Sequence, residues 1–184
     1  MSYPHSDSRL LDNHSRAAVG DFLKERIRPE SKLSVVSAYF TIYAYQALRE
    51  VLEGASSMRF LFGEPQFINT LDPNRDSAPA FKIENDELRL TERLEQSRIA
   101  RECANWIKHK VEVRSIRYPG FLHGKMYHIQ QGDYVQAVLG SSNFTTRGLG
   151  LSEPKNIELN FRITDQLDQE DLKAWFDPKY LTKV

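Results

Sequence analysis

His123 and Lys125 are separated by one glycine inside an apolar run, and the chain turns back at Gln131-Gly132-Asp133. A second apolar run, Tyr134 to Leu139, then leads to Gly140-Ser141-Ser142-Asn143. The two-residue period of a strand puts the imidazole and the ammonium on one face. Two such runs around a short turn read as a β-hairpin, which brings a small-residue turn and a carboxamide back beside them. A neutral imidazole can attack phosphorus and split one hard displacement into two easier ones. An ammonium on the same face would offset charge building on a non-bridging oxygen. Asn143 can donate its amide hydrogens to a second such oxygen. Gly140 permits close backbone approach, and Ser141 and Ser142 supply hydroxyls. A helix expected to begin near Thr145 would aim free N–H groups at an anion. Each residue also has a plainer use: a hydrogen-bonded structural histidine, a surface lysine, a turn built from Gly-Ser-Ser-Asn. Their combination on one hairpin favours chemistry.

His-x-Lys followed by Gly-Ser-x-Asn, within Phe121 to Leu149, resembles the half-site signature of the phospholipase D superfamily, and in particular its single-copy nuclease branch associated with helicases and restriction systems. The order of elements extends the likeness loosely over the whole chain. The resemblance implies an α/β fold, a mixed and largely parallel sheet flanked by helices on both faces. It implies metal-independent chemistry with no cofactor, one histidine acting as nucleophile. A second histidine, from another half-site, would protonate the leaving alkoxide and then activate water. An imidazole titrating near its ordinary value of about 6.5 suits both duties. The chain carries one His-x-Lys, so the simplest complete centre is a C2 homodimer with both His123 side chains around one phosphate. Of the two serines, Ser141 matches the family position.

One departure stands out. The fuller family motif has an aspartate five residues after the lysine, where this chain has Gln130, and Asp133 lies beyond it in the turn. Glu158 is the candidate to orient the imidazole, since a glutamate following Gly-Ser-x-Asn accompanies the histidine in the single-copy nucleases that this chain resembles. The catalytic set expected is thus His123, Lys125, Asn143 and Glu158, with Gly140, Ser141, Ser142 and Thr145 around the substrate. The expected activity is a nuclease, with DNA the favoured substrate. The alternative is a non-catalytic nucleic-acid-binding or targeting module of a larger helicase or restriction system. Lipid phosphodiester chemistry ranks last, because no apolar run is long enough to span a bilayer and no strongly basic amphipathic helix is present.

The elements that must position these residues follow from periodicity. The chain is expected to form a single domain over 1–184, with 1–14 flexible. Ser15 could cap a helix to about Arg28, where Val19, Phe22, Leu23 and Ile27 share a face before Pro29. Leu33 to Phe40 and Met58 to Phe62 read as strands on either side of a helix from about Tyr43 to Glu53, a β-α-β unit. Residues 64–90 form an irregular insertion containing Pro65, Pro73 and Pro79, which could be a lid, an interface segment or a disordered loop. A helix from about Leu90 to Lys108 and a strand from Val111 to Ile116 lead to a turn at Tyr118-Pro119-Gly120. After the hairpin, Asn156 to Ile163 alternates: Ile157, Leu159, Phe161 and Ile163 on one face, and Asn156, Glu158, Asn160 and Arg162 on the other. The polar row must face solvent or a polar site. A last helix begins near Asp168 and is broken by Pro178.

Composition excludes little beyond this. The 184 residues carry 25 basic and 25 acidic side chains, so net charge does not announce a polyanion partner. Basic residues do cluster from Arg98 to Lys125, which reads equally as a positive field at the motif or as a solvated helix face followed by an edge strand. One cysteine, Cys103, rules out a disulfide within the chain and suits a buried helix position. No His, Asp or Glu set has metal-ligand spacing. No signal peptide is evident, and the chain reads as cytoplasmic. His128 falls on the opposite strand face from His123 and is expected to pack.

Overall fold

The computed structural model describes residues 8–62, 90–116, 122–177 and 181–183. In chain order the elements are β1 (Leu10–Leu11), α1 (Val19–Arg26), β2 (Lys32–Ser37), α2 (Ile42–Gly54), β3 (Ser57–Phe62), α3 (Leu90–Lys110), β4 (Val111–Ile116), β5 (Lys125–Gln131), β6 (Tyr134–Gly140), β7 (Asn160–Ile163), α4 (Gln166–Phe176) and β8 (Leu181–Lys183). The strands form one sheet in the order β1-β7-β6-β5-β2-β3-β4-β8. The proposed insertion at 64–90 (all but Leu90, the first residue of α3), the turn at Tyr118-Pro119-Gly120 and the breaker Pro178 lie outside the described residues.

The fold is the expected mixed α/β sheet with helices on both faces, but "largely parallel" does not hold. Among the described strands, β2–β3 and β3–β4 run parallel. The other pairings are antiparallel. One of these pairings has a local cause: Gly132, at φ +57°, makes a two-residue turn that sends β6 straight back along β5, with Gln131 opposite Tyr134. Parallel pairing needs a helical crossover, and the β2-α2-β3 unit provides one.

Strand β2 is buried along nearly its whole length, as a strand covered on both faces must be. Its odd-numbered face, Leu33 and Val35, meets α1, α2 and α3 in the main core with Phe60, Tyr127, Val138 and Phe144. Ala44, Tyr45, Leu48 and Leu52 form the buried stripe of α2, and Thr41 caps that helix through Ala44 N–H at 3.3 Å. Cys103 is buried in α3 as expected. The other face holds a smaller cluster, Val36, Leu61, Met126 and Phe176, under α4. No described helix is long and apolar enough to cross a membrane.

The amino-terminal segment departs from expectation. Residues 8–14 are built into the fold: β1 pairs with β7, and Leu11 and Asn13 are buried. Ser15 does not cap α1. It donates to Asp12 at 2.7 Å, while the Asn13 carboxamide accepts from Val19 N–H at 3.0 Å and donates to Gly148 O at 2.7 Å. A buried carboxamide that satisfies two distant segments outcompetes a solvent-exposed serine as the helix-entry cap. Strand β8 was not expected.

Candidate active site

Four chain segments converge at one end of the sheet. Lys125, the first residue of β5, pairs with Gly140, the last of β6, so His123 and the 141–143 turn flank the same edge. Val36 pairs with Met126, which brings the end of β2 alongside. Gly140 pairs in turn with Asn160 of β7, and Glu158 lies just before it.

His123 precedes the strand, exposed, in a segment without regular secondary structure. Lys125 is half-buried, and its Nζ donates to the His123 carbonyl at 2.9 Å. That contact ties the segment to the strand and leaves the ammonium further hydrogens to offer. Asn143 is held by its oxygen: Oδ1 accepts from Ala38 N–H at 3.1 Å and lies 3.2 Å from the Ser37 hydroxyl. This fixes the amide's sense and turns Nδ2, the donor group, the other way. Glu158 faces the hairpin end, because its carboxylate accepts from the Ser141 hydroxyl and from Asn156 Nδ2 at 3.2 Å. Ser141 Oγ also accepts from Leu159 N–H at 2.9 Å.

Beneath this exposed layer lies a buried one. Asn160, 1% exposed, accepts from the backbone N–H groups of Ser141 and Ser142 at 3.1 and 3.0 Å. It donates to Leu11 O at 3.2 Å and to Ser142 Oγ at 2.9 Å. Every polar atom of its carboxamide is used. Tyr127 OH donates to Ser142 O at 2.9 Å. Burial, and secondarily the nearby Glu158 charge, push the Tyr127 phenol well above its ordinary range, so it stays a donor. Ser37 Oγ accepts from Phe144 N–H at 2.9 Å.

Three expected substrate contacts are therefore corrected. Ser142 is fully buried and its hydroxyl is occupied by Asn160, so it braces the turn. Gly140 is needed because a Cβ there would overlap the Asn160 side chain and the Leu159 carbonyl; the close approach is by β7, not by a ligand. Thr145 starts no helix. Its hydroxyl accepts from Gly148 N–H at 3.0 Å, and residues 145–150 form turns that end at Gly150 with φ +72°. Two glycines and the following Pro154 leave no room for helical propagation.

The expected strand over Asn156 to Ile163 pairs only from Asn160 onward, and its polar row faces the protein from Glu158 on, while Asn156 is exposed. Asn160 is buried and Glu158 half-buried, while Ile157, Leu159 and Phe161 are 77%, 68% and 47% exposed. Sequence reasoning missed Asn160, Ser37, Ala38 and Tyr127 as parts of the site. Asn160 shares the polar row with Glu158, and Tyr127 shares the strand face of Lys125, so the alternation carried a signal for both. Ser37 and Ala38 had none, since only the β2–β5 register brings them to Asn143. His128 is buried on the opposite face as expected. Much of the basic cluster is internally paired: Arg98 with Glu102, Arg114 with Glu112, and Lys110 with the Ala55 carbonyl.

A family model described as cardiolipin synthase, PLD-like domain, matches residues 29–180. Among solved structures, polyphosphate kinase from Porphyromonas gingivalis superposes with a TM-score of 0.55 at 14% identity, over 100% of this chain and 24% of the kinase chain. Phosphatidylserine synthase from Haemophilus influenzae Rd KW20 superposes with a TM-score of 0.50 at 14% identity, over 95% of this chain and 38% of that one. This chain thus spans well under half the length of either, and at that identity the likeness is one of fold. A search of curated proteins finds no match.

Proposed function

We propose that this chain, which belongs to the phospholipase D superfamily through its PLD-like domain, is a metal-independent phosphodiesterase and specifically a nuclease. The observation that carries the reading is the convergence of His123, Lys125 and Asn143 on one sheet edge, with the Asn143 amide donor set by Ala38 N–H. An imidazole nitrogen of His123 attacks phosphorus and the P–O bond to the leaving strand breaks. A second imidazole gives its proton to the departing alkoxide. The phosphohistidine is then opened by water, whose proton returns to that second imidazole. Lys125 and Asn143 Nδ2 hold the non-bridging oxygens as charge builds. Glu158, braced by Ser141, is the carboxylate that orients the imidazole.

The second imidazole comes from a second copy of the chain. What supports this is the apolar row left on the surface beside Glu158: Ile157, Leu159 and Phe161, joined by Leu139, which pairs with Phe161 and is 41% exposed. Contiguous exposed apolar residues of this kind mark interaction surfaces. A homodimer covering them would give one active site per pair. The test is a mixing experiment on a labelled oligonucleotide, DNA first and RNA beside it. His123→Ala homodimers should be inactive, and heterodimers with one intact His123 should be inactive as well. Half-activity in heterodimers would overturn the shared site, and full EDTA-resistant cleavage by pure His123→Ala would overturn the mechanism.

A further inference from the structure

Two tyrosine rings stand on the surface beside this site, and the catalytic scheme uses neither. Tyr39 is 57% exposed and Tyr43 44% exposed. Both lie in the short segment that leaves β2 and enters α2, where the neighbouring apolar residues turn inward. Phe40 stacks on Phe144, ring centroids 5.2 Å apart, and Ala44 and Tyr45 are buried in the core. The Tyr39 backbone is pinned at both ends. Its carbonyl accepts from the Ser37 hydroxyl at 2.7 Å, and its N–H lies 3.4 Å from that same oxygen. The preceding N–H, of Ala38, is the group that orients Asn143. Thr41 N–H donates to Phe144 O at 3.1 Å, which holds this segment against the turn that carries Asn143. Tyr43 is the second residue of α2, in the turn that follows the Thr41 cap. Two amphipathic rings are therefore held on rigid backbone at the rim of the phosphate-binding edge.

We propose that Tyr39 and Tyr43 form a stacking surface for a nucleobase next to the phosphate at His123, so that the substrate is a nucleic-acid strand unpaired at the point of cleavage. This rests on the nuclease reading and adds the substrate class to it. An exposed ring can stack only on a base face that is free, and in a continuous duplex both faces of each base are taken by its neighbours. A single strand, or a base turned out of a helix, offers that face without regard to sequence. Phosphate contacts at Lys125 and Asn143 give position, and the rings add a contact that a bare sugar-phosphate chain cannot make.

The experiment measures binding by fluorescence anisotropy with the full chain and three probes of equal length: a single-stranded oligonucleotide, the same strand carrying consecutive abasic sites, and a blunt duplex. The wild-type chain is expected to prefer the intact strand over the abasic strand by roughly ten-fold or more. The double variant Tyr39→Ala/Tyr43→Ala should lose most of that preference while keeping its affinity for the abasic strand and its melting temperature. Tyr39→Phe/Tyr43→Phe should retain the preference, since the ring rather than the hydroxyl makes the contact. Equal wild-type affinity for intact and abasic strands would overturn the proposal while leaving the nuclease reading in place. So would preference retained by the alanine pair. No binding to any oligonucleotide, with the alanine pair instead weakening attachment to phosphatidylglycerol vesicles, would overturn both.

Discussion

His123 and Asn160 stand at the same end of one sheet and are held in opposite ways. Asn160 is buried, with every polar atom of its side chain committed to Leu11, Ser141 and Ser142. His123 is exposed, just ahead of β5, where Lys125 Nζ clasps its carbonyl. The lower layer fixes the shape of the turn; the upper layer presents groups that can react. A reacting group must reach substrate, so it must lie at the surface. A bracing group is effective only when it is used up, because an unsatisfied buried amide is costly. Substitutions in the two layers should therefore separate activity from stability.

The largest effect expected is on the upper layer. His123→Ala should lower phosphodiester turnover by at least about a thousand-fold, the scale of removing a covalent nucleophile, with the thermal midpoint unmoved. A melt displaced along with activity would mean that the two layers are not separate. Asn160→Ala should do the reverse, lowering the free energy of unfolding by about 3 kcal/mol because two amide N–H groups and the Ser142 hydroxyl lose their partner. Urea denaturation reads this directly, and a loss under about 1 kcal/mol would mean that water replaces the side chain there.

The apolar row provides a third, smaller test. Phe161→Ser and Leu159→Ser should each weaken self-association by about 1–2 kcal/mol, the scale of burying one large side chain, with little change in the isolated subunit. Sedimentation velocity at several concentrations would measure the shift, and unaltered association would place the dimer surface elsewhere. Smallest is a pH effect on the opposite face. Burial, and then the positive charges of Lys173 and Arg59, hold the His128 imidazole below its ordinary value of 6.5, with Asp177 and a backbone contact to Gln169 acting the other way. The folded state thus binds the proton less readily than the unfolded chain. Its contribution is fully present above pH 6.5 and declines as the pH falls below it. His128→Phe should flatten that part of the stability profile, and an unchanged slope would assign it to other groups.

The outcome for the elements separates local from distant information. The hairpin, the β2-α2-β3 unit, the burial of Cys103 and the inward His128 were all legible, because they depend on periodicity within one segment. The parallel character of the sheet was misjudged because pairing direction depends on which strands meet. The helix at Thr145 was misread because capping chemistry looks alike whether a helix follows or a run of turns does. Ser15 looked like a cap until Asn13, bonded to Gly148, proved the better-placed group.

The sequence by itself determined which chemistry is possible: an imidazole, an ammonium and a carboxamide on one hairpin, with a period of two that sorts one face from the other. Only the tertiary structure decided which of the small polar residues stay at the surface. Ser141 and Ser142 are the same residue type side by side. One lies exposed, bonded to Glu158, and the other is sealed under Asn160. That division is made by a strand eighteen positions further along the chain from Ser142, and no local pattern encodes it. A buried polar group takes its role from whichever partner arrives to satisfy it, and that arrival is a property of the assembled sheet.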